Sequence, residues 1–185
     1  MKKKVFVISG PSGAGKSTLI NYILENFKNS GLAVSCTTRK PRDGEINSVD
    51  YHFINHSDFE GLIKNNEFIE HVECYGNRYG TLKSEILNVL KHKDICILDL
   101  EFNGAHNILS KNTVTSDCSG ILILPPSLKT LKNRLINRKS ETEESLNKRI
   151  SEAFDFENIA NYQYVIINKD INDAKSEIFK IFSEY

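Results

Sequence analysis

No apolar stretch in this 185-residue chain approaches the ~20 residues that a membrane-crossing helix needs. The longest, Ile95 to Leu98 and Gly120 to Pro126, are of strand length, so no transmembrane helix is expected. An excess of charge is missing too: 24 Lys and Arg face 24 Asp and Glu. That balance excludes a global pull onto nucleic acid or an anionic membrane, and any anion site must be local. Cys36, Cys74, Cys96 and Cys118 form no CxxC pair, and His52, His56, His71, His92 and His106 show no ligand spacing. Neither a zinc centre nor a disulfide framework is expected, and reduced thiols fit a cytoplasmic chain. A leader peptide is not expected, because Val5 to Ser9 is too short for its apolar segment. Lys2, Lys3 and Lys4 read instead as a solvated lead-in to a strand. Repeats, low-complexity tracts and linkers are absent, and the length suits one domain of roughly 150 residues with a modest insertion. With 39% hydrophobic and 26% charged residues, the chain can build a packed core.

What is present alternates between strand and helix. Lys4 to Ser9 reads as a buried strand stopped by Gly10 and Pro11, and Lys16 to Phe27 as a helix with Leu19, Ile23 and Phe27 in one stripe. Ala33 to Thr38 and Tyr51 to Ile54 lean to strand and suggest a small sheet of their own. Ser57 with Glu60 resembles a capping box before a short helix, and Phe68 to Val72 reads as a strand before a turn at Gly76 and Asn77. Lys83 to Lys91 is helical. Ile95 to Leu98 and Ile121 to Leu124 have the unbroken apolar character of parallel strands covered on both faces. Ser127 opens a helix through Leu128, Leu131 and Leu135, Ser140 and Glu143 cap another to about Asn161, Tyr164 to Ile167 is the last strand, and Asp173 to Phe182 the closing helix. The order implies an α/β fold: a parallel sheet with helices on both faces, its ligand crevice beyond the carboxyl ends of the strands, and an insertion between residues 33 and 82.

The segment Gly10, Pro11, Ser12, Gly13, Ala14, Gly15, Lys16, Ser17 satisfies GxxxxGK[ST] between an expected strand and an expected helix. Glycines let backbone N–H groups curl around polyphosphate, the helix start faces the anion, Lys16 reaches the terminal phosphates, and Ser17 offers a hydroxyl to Mg²⁺. Asp99 ends the apolar run from Ile95, which puts a carboxylate near that ion. The motif alone does not choose among GTPases, motor ATPases and small-molecule kinases. A guanine-reading NKxD is missing, since Asn168, Lys169, Asp170, Ile171 is out of register. Two basic clusters remain: Arg39, Lys40, Arg42, and a second running from Lys129 to Arg149. Enzymes moving phosphoryl groups between two anions need both. Arg134 and Arg138 share one face of the expected helix.

These residues carry a resemblance to the guanylate kinases over nearly the whole chain. It lies in GPSGAGKS from Gly10, SCTTRKPRDGE from Ser35 followed by DYHF to Phe53, FIE from Phe68, and YGT from Tyr79. It continues in ILDLEFNGA from Ile97, PPS from Pro125, the arginines Arg134, Arg138 and Arg149, and VIIN from Val165. The resemblance implies a P-loop NTPase-type core (about 1–32, 83–125 and 160–185), a small mixed insertion binding the nucleoside monophosphate (about 33–82) and a helical lid (about 126–159). It implies Mg²⁺-assisted, in-line transfer of the γ-phosphoryl group of ATP to GMP, with dGMP as a further acceptor, in a monomer or homodimer with no nucleic-acid or membrane partner.

By that resemblance Ser35, Arg39, Arg42, Glu45, Tyr51 and Tyr79 serve the GMP phosphate side of the site. Glu70 accepts from guanine N1–H and N2–H, Thr81 donates to O6, and Asp99 and Glu101 lie near the acceptor. Residues Gly10 to Thr18, with Arg134, Arg138 and Asn168, hold ATP, Asn168 against the adenine. Lys16, Arg39, Arg134, Arg138 and Arg149 carry the catalytic charge, and Ser17 and Asp99 the metal, Asp99 directly or through water. Ser48, where glycine is common, is harmless at negative φ but costs about 1 kcal/mol or more in the left-handed region. Glu101 stands where aspartate is expected, with its charge displaced by one methylene. Two other readings stay open: a noncatalytic, peptide-binding module of the same shape, and a kinase for another small anion.

Overall fold

The computed structural model describes residues 3–74, 76–111, 117–137 and 161–185. Five parallel strands form the main sheet: β1 (Lys4–Ser9), β2 (Ser30–Leu32), β7 (Ile95–Leu100), β8 (Asp117–Leu124) and β9 (Tyr164–Ile167), in the order β2-β7-β1-β8-β9. Its central strand explains why the apolar run is unbroken. Val5 and Val7 point into the core shared with α3 (Lys83–His92) and α4 (Phe102–Lys111), whereas Phe6 and Ile8 point into the one shared with α1 (Lys16–Asn26) and α6 (Ile171–Phe182). All four are fully buried, so both faces need apolar side chains, each contributing about 1.5–3 kcal/mol of burial.

Chain order reverses at β1, which has β7 on one side and β8 on the other, and such a switch point opens a crevice at the carboxyl ends. Register fixes what stands there: Ile8 is level with Asp99, so the acid of β7 lies beside the start of the glycine loop that follows Ser9.

The second sheet has four strands, β3 (Cys36–Thr37), β4 (His52–Phe53), β5 (Phe68–Cys74) and β6 (Asn77–Leu82), in the order β4-β3-β6-β5. Phe59 of α2 (His56–Lys64) stacks on Phe68 beneath it, with ring centroids 4.5 Å apart. The antiparallel β5–β6 pairing sets Glu70 opposite Thr81.

Several sequence expectations change. Of the stretch expected as a strand over residues 33–38 only Cys36–Thr37 pairs, in the second sheet, while the strand that joins the main sheet, Ser30–Leu32, comes just before it and was not expected. The helix expected to be capped at Ser57 begins two residues earlier, because Asn55 accepts from the Asp58 N–H at 2.8 Å. Lys4 is not a solvated lead-in: only 6% exposed, it bonds the Tyr185 hydroxyl at 3.2 Å and lies over that ring. Ser48 has φ 65°, so the costlier alternative holds, at about 1 kcal/mol. Its N–H donates to the Tyr51 carbonyl (2.8 Å), and its hydroxyl pairs with His52 Nδ1 (3.2 Å). No disulfide joins the described cysteines, and the described residues hold no cluster of metal-ligating side chains. No described helix is long and apolar enough to cross a membrane. The helix expected from Ser140 to Asn161 lies outside the described residues, apart from Asn161 itself.

Candidate active site

A cleft with an empty volume of about 880 Å³ opens at the switch point, between the glycine loop and the second sheet. Pro11, Ser12, Gly13, Gly15, Lys16 and Ser17 line one wall. Ser35, Arg39, Arg42, Tyr51, Glu70 and Tyr79 line the other, with Asp99, Leu100 and Glu101 between them. Residues far apart in sequence thus meet in one concavity.

Lys16 Nζ donates to the Gly10 carbonyl at 2.7 Å and stands 4.0 Å from Asp99 Oδ1. Burial raises the pKa of Asp99 and Glu101 raises it further, while Lys16 opposes the shift. The donors at this point are a Ser17 hydroxyl and carboxylates, with no cage of protein ligands among the described residues. That set suits Mg²⁺, a hard ion that keeps water and arrives on phosphate oxygens.

On the opposite wall Arg39 forms a two-bond fork with Glu45, Nη1 to Oε2 at 2.8 Å and Nη2 to Oε1 at 2.9 Å. The Arg42 N–H also donates to Glu45, at 2.7 Å. This hydrogen bonding holds the Glu45 carboxyl below its ordinary pKa. Glu45 therefore orients Arg39, and it lines the adjoining part of the cavity beside Ser35, Arg42 and Tyr51. Arg39 lies 5.4 Å from the Tyr51 ring centroid and 5.6 Å from that of Phe53, a residue that sequence reasoning did not single out. Tyr51 and Tyr79 meet edge to face at 6.1 Å. The Tyr51 hydroxyl is pushed well up by burial, with Asp99, Glu101 and Tyr79 adding and Arg39 opposing.

Glu70 is 6% exposed. Its Oε1 accepts the Thr81 backbone N–H at 3.0 Å, and its Oε2 is buried without a partner. Burial lifts this carboxyl to about 7, against the opposing hydrogen bonds from Thr81. The Ser35 and Thr81 hydroxyls lie 3.0 Å apart beside it. Gly104 of α4 was quoted within a motif but given no role. A Cβ there would stand 2.6 Å from Oε2, so only glycine leaves this acceptor room.

Thr18 is exposed on α1, and Ala14 is buried in the loop. Asn168 lies beneath the loop, donating from Nδ2 to the Ala14 carbonyl at 2.7 Å, and Arg134 donates to the Asn168 carbonyl at 3.0 Å. Arg138 and Arg149 fall outside the described residues.

The guanylate kinase family model matches residues 2–185. A guanylate kinase of Clostridium perfringens is 42% identical over 175 residues, covering 94% of this chain and 80% of that protein. One from Clostridioides difficile is 41% identical over 183 residues, covering 98% and 88% respectively. The crystal structure of guanylate kinase from Anaplasma phagocytophilum superposes with a TM-score of 0.75 at 29% identity, over 99% of this chain and 86% of that one. With a full-length family match and relatives above 40% identity, this chain belongs to the guanylate kinase family.

Proposed function

We propose that the chain transfers the γ-phosphoryl group of ATP to GMP, forming ADP and GDP, and that dGMP is accepted as well. The observation that carries the acceptor assignment is Glu70: a buried carboxylate with one oxygen held and the other unpartnered, in the cleft shared with the phosphate loop. Guanine presents adjacent N1–H and N2–H donors to such an acid, whereas adenine presents none in that pattern. A buried site built for hydrogen bonds rejects a base lacking them on the order of 10⁴-fold. The groups assigned to GMP engage base and phosphate rather than the ribose 2′-hydroxyl, which is the reason to include dGMP.

In this reading an oxygen of the GMP phosphate forms a bond to the γ-phosphorus as the bond from that phosphorus to the β–γ bridging oxygen breaks. The electron pair leaves on ADP. The enzyme's work is alignment and charge stabilisation. Lys16 turns from the Gly10 carbonyl to the terminal phosphates. Arg39, braced by Glu45 and two rings, grips the acceptor phosphate together with Ser35, Arg42, Tyr51 and Tyr79. Arg134 supports the donor, with Arg138 and Arg149 assigned beside it. Ser17 and Asp99 would hold Mg²⁺, Asp99 directly or through water. That ion supplies charge neutralisation on the donor phosphates.

ADP formation from ATP, followed in parallel with GMP, dGMP, AMP, CMP, UMP or no acceptor, tests the assignment. Turnover is expected with GMP and dGMP alone. Equal turnover in every tube would make the chain an ATPase, GMP binding without turnover would make it a noncatalytic module, and preference for another monophosphate would overturn the role of Glu70.

A further inference from the structure

We infer that Asn168 is a positioning residue whose side-chain amide pins the phosphate loop in its anion-binding shape; the inference rests on the reading of that loop as the triphosphate site. Asn168 follows β9, at the carboxyl end of the sheet, and is 2% exposed. Three elements fix it. Its N–H donates to the Leu124 carbonyl at the end of β8 (2.8 Å), and its own carbonyl accepts from Arg134 of α5 (Leu128–Asn137) at 3.0 Å. Its Nδ2 reaches across 154 positions of sequence to the Ala14 carbonyl at 2.7 Å.

A planar trans peptide points its N–H opposite to its C=O. Holding the Ala14 carbonyl down onto Asn168 therefore turns the Gly15 N–H away, toward the cleft that Gly15 lines. A peptide free to rotate would present the carbonyl to the phosphates for part of the time, and an oxygen there repels what the N–H attracts. The direction of the amide is forced. Turned over, Oδ1 would face the Ala14 oxygen, two acceptors with no proton between them. In the present orientation Oδ1 is left buried without a partner, a desolvation cost incurred to keep the donor on the loop. Gly15 belongs to the same arrangement: its φ is +100°, and a Cβ there would stand 2.4 Å from Nδ2. Leu131 and Leu135 of α5 close over Gly13, so the helix that holds the pin also covers the loop.

A pin acts on every ligand that fills the loop, whatever base it carries, whereas a contact to adenine acts on ATP alone. Calorimetric titration of inorganic tripolyphosphate, ATP and CTP into wild type, Asn168→Ala and Asn168→Asp separates the two roles, with GMP affinity as the internal measure of folding. Asn168→Ala is expected to weaken all three polyphosphates by about tenfold, and Asn168→Asp, which sets two oxygens face to face, on the order of 10²-fold, with GMP affinity unchanged. If Asn168→Asp also loses GMP affinity, Asn168→Ala carries the comparison, since it adds no charge and removes few atoms. Wild-type affinity for tripolyphosphate in both variants, or a loss confined to ATP, would overturn the inference while leaving the kinase reading intact. No tripolyphosphate binding by the wild type would overturn the loop assignment and the pin together.

Discussion

Replacing Lys16 with alanine is expected to lower kcat/KM for ATP by about 10³-fold or more without lowering the melting temperature. The effect is large because a fixed cation stabilises charge developing on the transferred group, and a single such donor is worth about 10²–10³-fold. The fold is spared because Lys16 contributes little to it. Its ammonium makes one bond to the Gly10 carbonyl and stands 4.0 Å from Asp99, while the packing of α1 rests on Leu19, Ile20 and Ile23. Lys16→Arg should fail nearly as completely, since the side chain is only 11% exposed and a planar fork does not fit where a compact ammonium does. GMP affinity is expected to be unchanged in both variants. Steady-state kinetics at saturating GMP, beside a thermal melt, checks this; a loss of less than tenfold would mean that the loop is not the donor site.

How much of this was legible in the sequence depended on whether a residue's surroundings are local. Four of the main sheet's five strands were readable, because strands buried on both faces must be apolar throughout, as Ile95 to Leu98 and Ile121 to Leu124 are; the edge strand β2, Ser30–Leu32, has no such run and was missed. The glycine loop was readable because spacing along the chain sets its geometry. β6 was missed: Asn77–Leu82 lacks alternation, and its pairing with β5 and β3 is what makes it a strand. Asn55 was missed as the helix cap because Ser57 and Glu60 supply a competing pattern two residues on. Glu45 was placed with the GMP residues by resemblance alone, and its fork with Arg39 is a contact that only the folded chain shows. Gly104 was quoted in a motif without a role and Asn168 was assigned to the adenine by resemblance; what the sequence did not show is the close approach of Gly104 to Glu70 Oε2 and the bond from Asn168 to the Ala14 carbonyl. Such contacts leave no periodic trace in sequence.

Glu70→Gln is expected to lower kcat/KM for GMP by about 10³-fold while leaving the affinity for ATP intact. The amide keeps a single acceptor oxygen, so its N–H₂ must face either the Thr81 N–H or guanine's donors, and a paired buried group becomes a repelled one. The pH dependence is more diagnostic than the loss. In the free protein burial lifts the Glu70 carboxyl to about 7, whereas in the unfolded chain it titrates near 4.3. The folded state thus holds the proton longer. Stability contributed by the neutral carboxyl is fully present below pH 4 and is lost as pH rises to 7, by roughly 4 kcal/mol at most relative to Glu70→Gln. GMP reverses the sign, because N1–H and N2–H require the carboxylate. The ratio of wild-type to Glu70→Gln kcat/KM for GMP should rise with pH by up to tenfold per unit below 7 and level off above it. Taking the ratio removes the second ionisation of the GMP phosphate, near 6, which both proteins share. A ratio flat from pH 5.5 to 8.5, or a variant within threefold of wild type on GMP, would show that Glu70 does not read the base. If the ratio rises and levels as expected, one oxygen held by Thr81 and one left open for guanine are enough to couple acceptor selection to the ionisation of a single buried acid.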